Sequence, residues 1–179
     1  KEGYLFFSIG DRGSRNQAQL LNYPNGKIHR LHDDGSVPMD NPFINVNNAI
    51  KSIWTYGNRN PQGLAIHPVS DIIFETEHGP KGGDELNNIK ENSNYGWPIS
   101  SYGTKYENVS SAAYKLNHSK NGFIEPIYQF TPSVGISDLV KCTNELINYY
   151  EREGCLIATS LREQSLIIFL LSENLDRVI

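Results

Sequence analysis

Residues 63–79, GLAIHPVSDIIFETEHG, contain two apolar, β-rich runs joined by a short polar turn. Such a strand–turn–strand unit recurs along the chain, because turn residues return about every 8 to 12 positions. This spacing is typical of an all-β sandwich, barrel or propeller. Besides the runs at 63–68 and 72–79, the sequence predicts strands at 4–10, 26–31, 52–57, 126–130, 155–161 and 165–171.

Two stretches depart from the strand pattern. Residues 143–154, TNELINYYEREG, have helical spacing, with Leu146, Ile147 and Tyr150 on one face and Gly154 as the stop signal. They predict a short helix. Residues 108–122 are polar and weakly periodic, and they predict a long surface loop.

Composition places the chain among ordinary globular proteins. Its 179 residues fit one domain or a piece of one, with 38% hydrophobic residues, 20% charged residues and a net charge of -4. The mild acidity argues against a nucleic-acid partner, and no apolar run approaches the roughly 20 residues of a membrane span. Cys142 and Cys155 either pair across adjacent strands or remain two partly buried thiols.

The stretch EHGPKGGDELN, residues 77–87, combines backbone freedom with charge. The Gly-Pro pair at 79–80 turns the chain, and the Gly-Gly pair at 82–83 lets the backbone approach a ligand closely. Such a turn can present carbonyl oxygens to a hard cation such as Ca²⁺, with Asp84 and Glu85 beside it. The acidic spacing does not match an EF-hand, so a glycine-rich surface turn is the simpler interpretation.

Three further motifs contain candidate site residues. In GNRNPQGLAIHP (57–68), Arg59, Asn60 and Gln62 either recognise a carboxylate-bearing ligand or form a polar loop whose arginine caps carbonyls. In SIGDRG (8–13), Asp11 orients a base, binds a ligand or, most commonly, closes a turn. In NYGWPISSYG (94–103), Trp97 either lines a sugar site or, as we favour, packs between strands.

Taken together and in order, five motifs resemble the soluble quinoprotein glucose/sorbosone dehydrogenases, and most of all their aldose sugar dehydrogenase branch. The motifs are SIGDRG, GKIHRL with the DDGSVP and DNPF that follow it, IWTYGNRNPQGLAIHP, ETEHGPKGGDELN and NYGWPISSYG. The resemblance implies a six-bladed β-propeller that carries pyrroloquinoline quinone (PQQ) and Ca²⁺ and oxidises aldose sugars at C1. It also implies a periplasmic or secreted protein with a small sugar substrate and a separate electron acceptor.

The same resemblance implies roles for individual residues. Asp11 would orient the catalytic base, Asp84 would lie on the substrate or cofactor side, and the carbonyls of Gly79 and Pro80 would hold the Ca²⁺. The remaining residues would contact the cofactor or lie beside it: Arg59, Asn60, Gln62, His78, Tyr128, Ser133 and Arg162. Tyr128 and Ser133 are taken from the segment YQFTPSVGIS, and Arg162 is taken from TSLR.

The sequence also departs from the family pattern. The family's histidine base lies upstream of the IGDRG strand, and none of the five histidines here matches it. We therefore expect residues 1–179 to be the C-terminal part of one propeller domain, with about half to two-thirds of the blades. Alone it is expected to be inactive. The alternatives are a non-catalytic propeller that binds ligands or partners and, least favoured, an unrelated all-β module.

Overall fold

The computed structural model describes residues 3–67, 70–106 and 113–179, and within them the architecture consists of antiparallel β-sheets with one short α-helix. Its strands are β1 (Tyr4–Ile9), β2 (Lys27–His32), β3 (Ile53–Tyr56), β4 (Pro61–Ile66), β5 (Ile73–Glu77), β6 (Asp84–Ile89), β7 (Tyr128–Phe130), β8 (Ile136–Lys141), β9 (Cys155–Ser160) and β10 (Ser165–Leu170). The helix α1 spans Asn144–Tyr150, and 3-10 turns span Arg15–Gln19 and Ser119–Asn121. The all-β prediction is confirmed, while the number of blades stays a prediction.

The chain divides into two compact units, and the first contains Lys1–Pro61, Lys90–Ser101 and Ser110–Glu125. Its sheet has the order β1-β2-β3, with Phe7 opposite His29 in the antiparallel register. The buried Lys27 ammonium donates to the carbonyls of Gln17, Ala18 and Asn25 at 2.7–2.9 Å. The carbonyls of Gln17 and Ala18 also accept backbone N–H groups, from Leu20 at 3.0 Å and from Gly57 at 2.9 Å. Lys27 therefore adds a second donor to each of these carbonyls and anchors the 3-10 turn that follows β1.

The second unit contains Gln62–Ile89, Tyr102–Val109 and Pro126–Ile179, and it holds two sheets. Their orders are β4-β5-β6-β7 and β10-β9-β8. Phe74, Leu86, Leu139 and Phe169 belong to the hydrophobic cluster of this unit. The Thr76 hydroxyl donates to the Ser137 carbonyl at 2.6 Å, so strand β5 is also tied to the second sheet by a polar contact.

A disulfide joins Cys142 and Cys155, which decides between the two alternatives left open by the sequence. Their Cα atoms are 5.3 Å apart, and the Cys142 N–H donates to the Cys155 carbonyl at 2.9 Å. The bridge closes the loop that contains α1. The predicted helix is present, and Leu146, Ile147 and Tyr150, which we expected on one face, are half-buried. Its end is not where we expected: Glu151, with a φ of 53°, ends the helix in place of Gly154.

Two strands, β6 and β8, were missed from the sequence. Strand β6 reads DELNNI, and it is buried because its acidic and amide side chains bond to one another and to nearby backbone groups. The predicted surface loop falls partly at residues 107–112, outside the described residues; within the rest of it, Tyr114 is buried. Among the helices of the described residues, none is long and apolar enough to cross a membrane.

Candidate active site

Asp11 lies in the first unit, just beyond the end of β1. Its Oδ1 accepts a hydrogen bond from the Gly13 N–H at 3.0 Å, and its carbonyl accepts one from the Ser14 N–H at 2.8 Å. Asp11 therefore closes a turn, as its residue type predicts. Its Oδ2 accepts a second bond, from Trp97 Nε1 at 2.8 Å. Both carboxylate oxygens are consequently held in a fixed orientation.

Trp97 packs in the interior of the first unit. It is only 3% exposed and contacts Ala18 and Tyr114, which confirms the packing interpretation over an open sugar-binding wall. The guanidinium carbons of Arg59 and Arg15 lie 5.3 and 5.8 Å from the indole centroid. One aromatic ring thus supports two cations and orients Asp11. No local pattern predicts this link, because Asp11 and Trp97 are 86 residues apart.

Asp11, Arg15 and Arg59 also line a pocket of about 300 Å³. Arg59 and Asn60 both contribute to it, and the Arg59 carbonyl accepts the Asp11 N–H at 2.7 Å. The side-chain oxygen of Asn60 lies over Gly10, where a Cβ would approach it to 2.6 Å. The structure thus brings together three predicted site residues, with Arg12, Gly13 and Arg15 as further lining residues. Gln62 belongs to the second unit and is exposed on β4.

In the second unit, Asp84 is the centre of a hydrogen-bond network. It is fully buried, and its Oδ1 accepts the Gly79 N–H at 3.1 Å. Its Oδ2 accepts the Ser133 hydroxyl at 2.7 Å and three successive backbone N–H groups of residues 134–136 at 2.7–3.1 Å. These donors come from the chain itself, so the carboxylate fixes two turns. Its assignment to the substrate side stays a prediction.

Of the predicted residues Arg162 and Tyr128, only Arg162 joins this network. Arg162 donates from Nη1 to the Ser133 carbonyl at 2.8 Å. Because the Ser133 hydroxyl donates to Asp84, Ser133 connects Arg162 to the Asp84 carboxylate. Tyr128 is 42% exposed on β7, and its ring packs against Phe130 and Phe169. The structure therefore brings Gly79, Asp84, Ser133 and Arg162 together but holds Tyr128 through aromatic contacts.

The Gly-Pro turn is built around positions that exclude a side chain. A Cβ at Gly79 would collide with the carbonyl oxygens of Gly82 and Gly83, and one at Gly103 would collide with that of Pro80. His78 and Gly79 are half-buried. Across the parts of the chain that the structure describes, no group of three or more His, Cys, Asp or Glu residues is arranged to hold a metal. The donors that this turn offers a cation are therefore backbone oxygens.

A buried acidic cluster lies on the two strands that flank the same turn. Glu75 Oε2, Glu77 Oε1 and Glu85 Oε2 lie 3.1–3.4 Å from Asn87 Nδ2. Burial and the neighbouring Glu77 charge raise the pKa of Glu75 well above its usual value. The three glutamates occupy strands β5 and β6, and we did not single out this cluster from the sequence. The alternation of Glu75 and Glu77 along one strand was the available signal.

Comparison with known proteins relates these motifs to a family. The family model described as Glucose / Sorbosone dehydrogenase matches residues 1–178. The aldose sugar dehydrogenase YliI of Escherichia coli strain K12 is 34% identical over 181 residues, which cover 99% of this chain and 46% of that protein. The chain thus spans about half the length of this relative.

Solved structures extend the similarity. The apo-form of the soluble aldose sugar dehydrogenase of Escherichia coli superposes with a TM-score of 0.88 at 33% identity, covering 99% of this chain and 50% of that one. The PQQ-bound aldose sugar dehydrogenase of Streptomyces coelicolor superposes with a TM-score of 0.71 at 27% identity, covering 98% of this chain and 43% of that one.

Proposed function

The chain belongs to the glucose/sorbosone dehydrogenase family, and we propose that the protein carrying it oxidises aldose sugars at C1 with PQQ and Ca²⁺ as cofactors. The observation that carries the proposal is the pocket where Arg59, Asn60 and Asp11 meet. A tricarboxylate quinone needs planar guanidinium donors, and this pocket supplies them. When bound beside Ca²⁺, PQQ supplies a quinone that accepts the hydride leaving C1 of the sugar.

Arg59, Asn60 and Gln62 are proposed to hold the quinone. The Arg59 guanidinium is supported by the Trp97 ring, so less side-chain freedom is lost when it pairs with a carboxylate. Asn60 is wedged over Gly10, which fixes its amide. Gln62 is exposed on β4, so its amide is accessible to a ligand.

The metal is proposed to bind the backbone oxygens of Gly79 and Pro80. Chemically this fits, because carbonyl oxygens suit a hard cation and the glycines keep side chains out of the turn. Asp84 holds the turn through the Gly79 N–H. His78, beside Gly79 in the chain, is proposed to flank the cofactor.

Arg162, Ser133 and Tyr128 are proposed to complete the cofactor or substrate side. Arg162 has 59% of its side chain accessible; its Nη1 donates to Ser133, and its Nε lies 3.5 Å from Glu163 Oε1 in an exposed ion pair. Its Nη2 is the part of the guanidinium proposed to meet a carboxylate of the cofactor. Ser133 has its hydroxyl directed at Asp84, and it therefore acts through the turn it stabilises. The half-exposed Tyr128 ring offers a face to a sugar or a quinone.

Asp11 is proposed to orient an imidazole base that takes the proton of the anomeric hydroxyl. Its two oxygens already accept the Gly13 N–H and Trp97 Nε1, so the carboxylate is held in one orientation. Its remaining lone pairs can then accept an imidazole N–H from one direction only. An imidazole that donates to this carboxylate keeps one tautomer and one ring orientation. Asp11 is thus a positioning residue.

A location in the periplasm or outside the cell is part of the proposal. The disulfide between Cys142 and Cys155 supports it, because disulfides persist mainly in oxidising compartments.

The experiment uses the complete protein that carries this chain, loaded with PQQ and Ca²⁺, and follows aldose-driven reduction of a dye. We expect reduction by a panel of aldoses, with none after omission of PQQ or addition of a chelator. PQQ binding without oxidation of any aldose in the panel would contradict the dehydrogenase proposal and favour a non-catalytic binding module.

A further inference from the structure

We propose that Arg12 and Arg15 make the pocket beside Arg59 a receptor for a carboxylate group. The inference rests on the proposed function to the extent that Arg59 and Asn60 belong to its cofactor site. Neither Arg12 nor Arg15 is needed for the roles assigned above, yet both line the same 300 Å³ cavity. The ligand is therefore expected to carry a negative charge beyond what Arg59 alone would pair.

The charge of the pocket is unbalanced. Arg12 and Arg15 add two guanidinium groups to a lining with one carboxylate, Asp11, which accepts the neutral donors Gly13 N–H and Trp97 Nε1. In the described part of the chain, no carboxylate forms an ion pair with Arg12 or Arg15. A concave surface with excess positive charge concentrates anions.

Arg15 is held in place, whereas Arg12 is exposed. Arg15 is half-buried, its guanidinium carbon lies 5.8 Å from the centroid of the Trp97 ring, and it begins the 3-10 turn that Lys27 anchors. A prepositioned guanidinium group loses less freedom on binding. The backbone of Arg12, with a φ of 54°, lies in the turn that Asp11 closes, which places the residue at the rim of the same pocket.

A carboxylate is the anion that this geometry fits, because a guanidinium pairs with it through two parallel hydrogen bonds. Two sources offer that group. One is a carboxylate of the cofactor, and the other is an acidic sugar such as glucuronate, which carries its carboxylate at C6. Both place the same chemistry in the pocket, and they differ in which equilibrium responds when Arg12 and Arg15 change.

The test measures binding by calorimetry on the complete protein. PQQ is titrated without sugar, and glucuronate and glucose are titrated with and without PQQ. The variants are R12Q, R15Q and the double variant, with R177Q as a control that removes an exposed arginine of the second unit. R15K keeps the charge without the fork, and circular dichroism checks that each variant is folded.

We expect the double variant to weaken one equilibrium by about tenfold or more, with a smaller loss in R15K. Weaker PQQ binding with an unchanged preference for glucuronate over glucose assigns the pocket to the cofactor. Lost glucuronate preference with unchanged PQQ binding assigns it to an acidic sugar. Added salt should weaken the affected equilibrium more in the wild type than in the double variant.

The inference fails if the double variant and R177Q match the wild type within about twofold in both equilibria. PQQ binding that survives in the double variant, with no glucuronate preference in the wild type, would leave the proposed function standing while removing this inference. Glucuronate binding that depends on Arg12 and Arg15, without any PQQ binding, would support this inference and contradict the proposed function. Binding of neither ligand would remove both.

Discussion

Asp84 Oδ2 accepts the backbone N–H of Gly135 at 2.7 Å, across 51 residues of sequence. The neighbouring N–H groups of Val134 and Ile136 point at the same oxygen, so three successive amides form an anion-binding nest filled by the chain's own carboxylate. The other oxygen holds the Gly79 N–H. One buried charge therefore fixes both the proposed Ca²⁺ turn and the turn that carries Ser133.

Asp84→Asn should destabilise the protein and weaken Ca²⁺-dependent PQQ binding. An amide nitrogen at this position would face backbone donors in place of an acceptor, and a broken buried network costs about 3–5 kcal/mol. Chemical denaturation measures the loss, and D33N at an exposed aspartate is the matched control. A stability equal to that of D33N would show that the carboxylate does not hold the two turns.

Trp97→Phe should separate orientation from packing. Phenylalanine fills most of the space beside Ala18 and Tyr114 but cannot donate to Asp11 Oδ2. We expect about 1–3 kcal/mol lower free energy of unfolding and weaker PQQ binding, because Arg59 and Arg15 lose the better cation–π ring. W54F is the comparison, since Trp54 supports Arg30 elsewhere in the unit. Unchanged PQQ affinity in W97F would contradict the role given to the indole.

Removal of the disulfide should lower the free energy of unfolding by about 3 kcal/mol, the loop-closure entropy for a loop of this length. The double variant C142A/C155A tests it by denaturation in the presence and absence of reductant. Reductant should destabilise the wild type and leave the double variant unaffected. Equal curves for the wild type with and without reductant would contradict a bridge that constrains the unfolded chain.

The buried Glu75 should make stability depend on pH. Its folded pKa is raised above the unfolded value near 4.5, so between these values the folded state binds a proton that the unfolded state does not. Stability should therefore fall as pH rises through that window, at up to about 1.4 kcal/mol per pH unit for one proton. Glu75→Gln should flatten this slope, because a glutamine keeps the neutral form at every pH.

The slope is measured by urea denaturation between pH 5 and pH 8. E91Q, at an exposed glutamate, serves as the control and should retain the wild-type slope. Identical slopes for E75Q and the wild type would show that Glu75 does not hold a proton in the folded state.

Much of the fold could be predicted from the sequence, because apolar runs and turn residues mark most strands. Strand β6 could not, since DELNNI reads as polar until its partners on other strands are known. For the same reason the sequence around Asp84 suggests a residue that contacts a ligand. In the folded chain its carboxylate instead accepts five hydrogen bonds, from residues 79 and 133–136.

The site shows the same division between local and distant information. The turn at Asp11 follows from residues 11–14 alone, and the density of polar groups at 59–62 marked Arg59 and Asn60. The supporting Trp97 and the additional Arg15 could be identified only from the folded chain, where Trp97 contacts both Asp11, 86 positions away, and Arg15. Long-range contacts of this kind leave no trace in a local pattern.

The most direct test of the proposed cofactor site is an equilibrium titration of the complete protein with PQQ, run with Ca²⁺ and with chelator. We expect Ca²⁺-dependent binding that R59Q weakens by about ten- to a hundredfold, the loss of one charge-assisted contact, while R177Q binds like the wild type. Absence of binding, or binding that neither the chelator nor R59Q alters, would contradict the assignment of this pocket and turn to PQQ and Ca²⁺.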